Sequence, residues 1–266
     1  MIDRPNFDEP FGLTTNPLRL VYMMGVVWLL ARRGRTRLDV LEVGSWCGAS
    51  GLALGEAIAQ HMSGGTITCV DPWQPYTDLG GDPDNLHLMM NELLETRDIF
   101  DVFRANMKFL PASVALNVRR GDSKVILPTL APESYDLIYI DGDHSYEAVR
   151  ADLANAAPLL RDGGILCGDD LEAQLHECDR ARLENGTGLE RLWDAETNSF
   201  LYPGVTRAVG EAFGPVSCWD GFWAMQKTGN GWGRIALDGM PGHIPSHLPA
   251  KSLMGLKAVL MKRGVF

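Results

Sequence analysis

Four residues near the middle of the chain have the types and spacing to do chemistry together. Asp141 closes the apolar run Tyr135–Ile140 (YDLIYI), and Asp169-Asp170 follow the run Gly164–Cys167 (GILC) after a single glycine. If the two runs are neighbouring strands, three carboxylates converge at one crevice. Unpaired carboxylates crowded together repel, and their pKa values rise unless a cation joins them. An all-oxygen set completed by water suits a hard divalent ion, Mg2+ first, with Mn2+ or Ca2+ as substitutes. The other reading is structural, with Asp169 as a helix cap. His144, three residues after Asp141, has the side chain that most often serves as general base near neutral pH; without such a centre it is a polar loop residue. Asp141 is the second catalytic candidate, and Asp143 reads as an N-cap. The other histidines, His61, His87, His176, His243 and His247, show no ligand spacing.

A second group of residues suits a bound nucleoside. The segment Val40–Gly51 (VLEVGSWCGASG) reads as a strand end, a glycine-rich turn and a helix start. Glycines let the backbone turn sharply and approach a ligand, although a turn can use them for geometry alone. A dinucleotide loop needs a second glycine two residues after the first, to clear room for a pyrophosphate. Here Trp46 stands two residues after Gly44. That blocks a pyrophosphate and favours a smaller, zwitterionic group, such as the methionine end of S-adenosylmethionine. The next apolar run ends in Val70-Asp71-Pro72-Trp73. Asp71 is placed to accept hydrogen bonds from ribose hydroxyls, or else to cap the turn; Trp73 packs on an adenine or fills the core. Asp122 and Ser123, after a third run, lie where an adenine edge would fall and are equally good helix caps.

The elements that must position these residues follow from periodicity. Short, nearly continuous apolar runs at Leu38–Val43, Thr66–Val70, Leu116–Arg120, Tyr135–Ile140 and Gly164–Cys167 alternate with helical stretches at Ala49–His61, Asp84–Phe109 and Tyr146–Leu160. Such strands are what a parallel sheet covered on both faces produces. Pro203–Phe213 reads as a further helix, and Val216–Trp219 with Phe222–Gln226 as a closing hairpin. The fold expected is a doubly wound, Rossmann-like α/β domain, with a mostly parallel seven-stranded sheet, a C-terminal β-hairpin and helices on both faces. Its bounds are 38–227, between an N-terminal helical cap (1–37) and a C-terminal extension (228–266) that is either a lid or an oligomer contact. The apolar run Leu20–Ala31 has 12 residues, short of the roughly 20 of a membrane-spanning helix. It predicts a buried helix with Asn16 as N-cap and Pro17 in its first turn.

Composition narrows the function classes. A formal net charge of −10 argues against nucleic-acid partners. Five cysteines, Cys47, Cys69, Cys167, Cys178 and Cys218, show no CxxC spacing and read as reduced thiols of a cytoplasmic protein.

Val40–Ser50 (VLEVGSWCGAS), Asp136–Tyr146 (DLIYIDGDHSY) and Leu159–Asp170 (LLRDGGILCGDD) resemble class I methyltransferases. More narrowly they resemble the metal-dependent O-methyltransferases, both catechol-type and those acting on macrolide sugars. Tyr202–Gly214 (YPGVTRAVGEAFG) is similar to a segment of the sugar-modifying group. The resemblance spans Leu38 to Lys227. It implies that Glu42, Gly44, Trp46, Ser50 and Asp71 face S-adenosylmethionine, with Ser123 near the adenine; Ser45, Trp73, Asp122 and Asp141 complete the expected cofactor-binding set. It implies also that Asp141, Asp169 and Asp170 hold a divalent cation, Mg2+ or another. His144 matches the base of some sugar enzymes, where the catechol-type relatives have lysine.

The activity expected is O-methylation of a hydroxyl on a small molecule or sugar, with the Asn6–Thr15 segment and the tail after Lys227 as candidate covers. Two rivals are a related metal-site enzyme with hydroxylation-type chemistry and a non-catalytic S-adenosylmethionine-binding module. The assembled carboxylates and His144 weigh against the second.

Overall fold

The computed structural model describes residues 4–8, 16–75, 85–186 and 188–262. Parts of the sequence reading fall outside them: residues 1–3 and 9–15 of the N-terminal cap and cover, the start of the helix expected from Asp84, and residues 263–266 of the C-terminal extension.

Helix α1 (Pro17–Arg32) starts as the sequence predicts, with the Asn16 side chain accepting from Leu18 N and Pro17 in the first turn. Leu18 to Val27 are all buried. Five parallel strands follow, β1 (Leu38–Val43), β2 (Gly65–Asp71), β3 (Val114–Arg120), β4 (Tyr135–Ile140) and β5 (Leu160–Leu171). They alternate with α2 (Ala49–His61), α3 (Asn85–Thr96), α4 (Ile99–Asn106), α5 (Ser123–Ile126) and α6 (Tyr146–Ala156). After β5 come α7 (Arg180–Asn185), the separate hairpin β6 (Leu192–Asp194) and β7 (Ser199–Leu201), and α8 (Pro203–Phe213). Then β8 (Ser217–Trp219), β9 (Gly221–Thr228) and β10 (Gly231–Arg234) close the sheet antiparallel, and α9 (Ala250–Lys262) ends the described chain.

The main sheet has eight strands, in the order β10-β9-β5-β4-β1-β2-β3, with β8 paired to β9 off this path. The sequence reading counted seven because Gly231–Arg234, in a Gly-rich stretch, carries no strand-like apolar run. Strand order reverses between β1 and β4, and a doubly wound sheet opens its ligand crevice at the carboxyl ends of the strands there. Two apolar clusters cover the sheet faces, α1, α2 and α4 packing on one and α6 and α8 on the other. Leu237, Met240 and Leu256 from the tail join the first cluster.

Three elements differ from the sequence reading. The single helix expected over Asp84–Phe109 is two, because Asp98 caps a new start by accepting from Asp101 N. Strand β5 runs well past Cys167, through Asp169 and Asp170 to Leu171. The β6–β7 hairpin and α7 fill a stretch for which no element was expected.

Candidate functional site

The loops after β1, β2 and β4 are drawn together by backbone hydrogen bonds that continue the ladders. Gly44 N donates to Val70 O (2.9 Å), Asp141 N to Val43 O (2.9 Å) and Gly121 N to Asp71 O (3.0 Å). Gly44 has φ 83°, and a Cβ on it would lie 1.9 Å from Asp141 O. Glycine is therefore required where the two loops cross.

Glu42 braces the first loop from below. Fully buried, it accepts from Ser45 Oγ (2.6 Å), Ser50 Oγ (2.5 Å) and Cys69 Sγ (3.2 Å). Burial pushes its pKa up, and the two hydroxyls and the thiol oppose that. Glu42, Ser45 and Ser50 thus bond mainly to one another. Asp71 ends β2 and ties the loops: Oδ2 accepts from Ser45 N (2.9 Å) and Trp46 N (3.0 Å), and Oδ1 from Trp73 N (2.6 Å). Burial raises its pKa while these N–H groups and Arg120 hold it down. A carboxylate offers about four lone-pair sites, so one remains for a further donor.

Trp73 takes the core-filling alternative. It is 4% exposed, packed between Phe100 (4.7 Å) and Phe103 (4.6 Å), with its Nε1 donating to Trp46 O (2.8 Å). Asp122 is exposed and caps α5 by accepting from Lys124 N (2.8 Å). Ser123, beside it, is half-buried and lies near Asp152 of α6. Asp152 is 2% exposed, and burial, opposed by Ser123 and Lys124, pushes its pKa up to about 6.

The second half of the site lies at the ends of β4 and β5. Donor atoms of Asp141, His144 and Asp170 lie within 4.8 Å of one another. His144 Nε2 is 3.1 Å from Asp170 Oδ2 and 3.7 Å from Asp141 Oδ1, while Nδ1 is 3.0 Å from Glu190 Oε1. Tyr202, at the head of α8, meets the imidazole edge-on at 4.8 Å. Burial alone would lower the His144 pKa, but Asp170, Asp141 and Glu190 outweigh it and hold the ring protonated well above its ordinary range. Tyr139, enclosed in the sheet, donates its hydroxyl to Asp141 Oδ2 (2.9 Å), and burial among these acids raises its pKa far up.

Asp169 is not one of the three converging residues. Its side chain is 2% exposed and lies 2.7 Å from Nη1 of Arg19 on α1. Sequence reasoning missed Arg19 and Glu190. The signal for Arg19 was present, as the lone charge in an otherwise apolar stretch of buried helix. Glu190 follows a segment without periodicity and carried none. The oxygens of Asp141 and Asp170 fit a hard divalent ion by type, with the His144 imidazole beside them. No helix among the described residues is long and apolar enough to cross a membrane.

Residues 41–171 match the family described as a methyltransferase domain. No curated protein matches the chain. Among solved structures, the O-methyltransferase NovP is similar over 79% of this chain and 79% of its own, at 19% identity and a TM-score of 0.52. That likeness shows a shared fold. TomG of Streptomyces achromogenes, an O-methyltransferase involved in tomaymycin synthesis and solved with S-adenosylmethionine, is similar over 84% of this chain and 85% of its own, at 18% identity and a TM-score of 0.46.

Proposed function

We propose that this chain, a class I S-adenosylmethionine-dependent methyltransferase by the domain it carries over residues 41–171, methylates a hydroxyl of a small molecule or sugar with the help of a divalent cation. The observation that supports this most is the convergence of Asp141, His144 and Asp170 within 4.8 Å. They stand at the carboxyl ends of β4 and β5, across the crevice from the β1 and β2 loops. NovP, an O-methyltransferase by its name, shares the fold.

Asp71 would receive a ribose hydroxyl with the one lone pair its three backbone donors leave. The turn from Gly44 to Ser50, braced by Glu42, would hold the methionine end, and Ser123 would lie near the adenine. Asp141 and Asp170 would hold the cation, Mg2+ by their chemistry. Once bound, it would supply a lowered pKa for the acceptor hydroxyl.

His144 is the base in this reading. With Nδ1–H donated to Glu190, the imidazole presents Nε2 toward Asp141 and Asp170. With a cation held by those two carboxylates, their hold on the imidazole proton would weaken, leaving Nε2 to serve as proton acceptor. The hydroxyl proton passes to Nε2. The acceptor oxygen then forms a bond to the methyl carbon as the carbon–sulfur bond breaks, and the sulfonium becomes a neutral thioether. Near-attack alignment of two bound partners is worth about 7–11 kcal/mol at most.

Two segments favour exclusion of water. Asn6 N donates to Asn106 Oδ1 (2.7 Å), Asn106 Nδ2 donates to Cys47 O (2.9 Å), and Phe7 packs on His247 of the tail at 5.4 Å. Asn106 thus joins Asn6 to the glycine loop at Cys47, and His247 of the tail meets the same N-terminal segment at Phe7. Five free cysteines suit a reducing, cytoplasmic setting.

The test is release of S-adenosylhomocysteine from S-adenosylmethionine with a panel of catechols, vicinal-diol sugars and single-hydroxyl controls. Turnover of at least one hydroxyl acceptor with an O-methyl product is expected. Methylation confined to nitrogen or carbon acceptors would refute the reading.

A further inference from the structure

Helix α1 brings one charged side chain into its buried stretch, and that guanidinium is fully engaged at the carboxyl end of β5. Arg19 Nη1 lies 2.7 Å from Asp169 Oδ1 and 2.7 Å from Asp170 Oδ1, and Nη2 lies 2.6 Å from Glu172 Oε1. Nε donates to Asp220 O (2.7 Å), and Tyr22, one turn on, donates to Asp220 Oδ2 (2.7 Å). The fit around the guanidinium is close. Gly221 has φ 89°, and a Cβ there would lie 2.3 Å from Arg19 Nη2 and 2.5 Å from a Glu172 oxygen.

The two neighbouring acids are left in different states. Asp169 Oδ1 takes Arg19 and the backbone N–H of Asp170 (2.9 Å), while Oδ2 lies 3.4 Å from the Tyr139 hydroxyl. All of this is in the protein interior. Asp170 turns the other way: φ is 61°, Oδ1 meets Arg19, and Oδ2 faces His144 in the crevice.

We propose that Arg19 is a positioning residue of the centre, which withdraws Asp169 into a fixed ion pair so that Asp141 and Asp170 hold the cation and Asp169 does not. This rests on the divalent-cation reading above. An arginine suits the task because its charge is permanent and its planar fork meets several carboxylate oxygens at once. Oxygen sites for hard cations tune affinity by the number of charged ligands. A centre with one acid withdrawn therefore binds its ion more weakly than three free carboxylates would.

The probe is Mn2+ alone, added to the full chain, with bound and free ion separated by the electron paramagnetic resonance signal of the free ion. Asp141→Asn and Asp170→Asn are expected to weaken binding by about 100-fold or more, beyond the about 10–100-fold typical of outer-shell changes. Asp169→Asn should change it by less than about threefold, since only a charge already paired with Arg19 is lost. Arg19→Gln, which frees Asp169 to join the set, should tighten binding by about tenfold through the added charged ligand. Because Arg19 also pairs with Asp170, the gain is assigned to Asp169 joining the set only if it is lost in the double variant Arg19→Gln with Asp169→Asn; a gain that persists there would overturn the assignment. Equal losses in Asp169→Asn and Asp170→Asn, or weaker binding in Arg19→Gln, would overturn the assignment while leaving the cation reading intact. If Arg19→Gln does not fold by circular dichroism, Asp169→Asn decides by itself. Absence of Mn2+ binding in the unmodified chain would bring down the cation reading and this inference together.

Discussion

The two halves of the crevice hold their acids by different means. At the ends of β1 and β2, Glu42 is bonded by hydroxyls and a thiol, and Asp71 by three backbone N–H groups. At the ends of β4 and β5, a protonated imidazole and a guanidinium hold Asp170 and Asp169, with one neutral phenol donor on Asp141. Neutral donors fix a carboxylate in place without cancelling its charge. Ionised partners balance charge, and that balance shifts when another ion arrives. The first half is therefore suited to a ligand bound always in one way, and the second to a centre whose charge changes during turnover.

The largest effect that would break this contrast is at His144. His144→Ala should lower kcat by about 10²–10⁴, the usual worth of a general base, with S-adenosylhomocysteine affinity unchanged. His144→Gln should do no better, because an amide accepts no proton at neutral pH. Wild-type kcat in either variant, measured with an identified acceptor, would remove the imidazole from proton transfer and make the second half a purely structural ion-pair cluster.

Asp152 of α6 sharpens the comparison as a buried acid with no ion pair among the described residues. Its pKa is raised to about 6 by burial, so the folded state favours the neutral acid. Below the ordinary aspartate range both states are protonated and nothing is lost. As pH rises toward 6 the unfolded chain ionises first, and stability falls, levelling off above 6. Asp152→Asn should remove this loss, adding up to roughly 3 kcal/mol at pH 8 and nothing at pH 3.5, since each pKa unit is worth about 1.4 kcal/mol. Urea unfolding of both proteins across that range checks it. A gain of equal size at both pH values would point to packing instead of charge.

Asp71→Ala is expected to have the smallest effect. Its carboxylate already serves three backbone donors, and losing its ribose contact should weaken S-adenosylhomocysteine binding by about tenfold, or about 1.4 kcal/mol, by calorimetry. Unchanged affinity would make Asp71 a loop tie only.

Legibility in the sequence follows the same division. The parallel strands and most helices could be read because each buries a continuous or periodic apolar set, and α1 because Asn16 and Pro17 mark its start. Glu42, Asp71, Asp141 and Asp170 stand at strand ends, where position suggests a role. What the sequence hid is long-range compensation. Arg19 lies 150 positions before Asp169 (169 − 19), and only the packing of α1 against the ends of β5 and β9 joins them. Glu190 reaches His144 from a segment whose hairpin has three-residue strands, too short to show a period. Trp73 sits beside Asp71 in the sequence, yet the aromatic cluster with Phe100 and Phe103 claims its ring.

The most direct measurement of the central claim is turnover of an identified hydroxyl acceptor in excess EDTA, followed by addition of Mg2+, with circular dichroism recorded at each stage. The account predicts that activity disappears on chelation while the fold and S-adenosylhomocysteine binding persist, and that Mg2+ restores it. Full activity in excess EDTA would contradict the account and leave Asp141, His144 and Asp170 as a self-balanced ion-pair cluster.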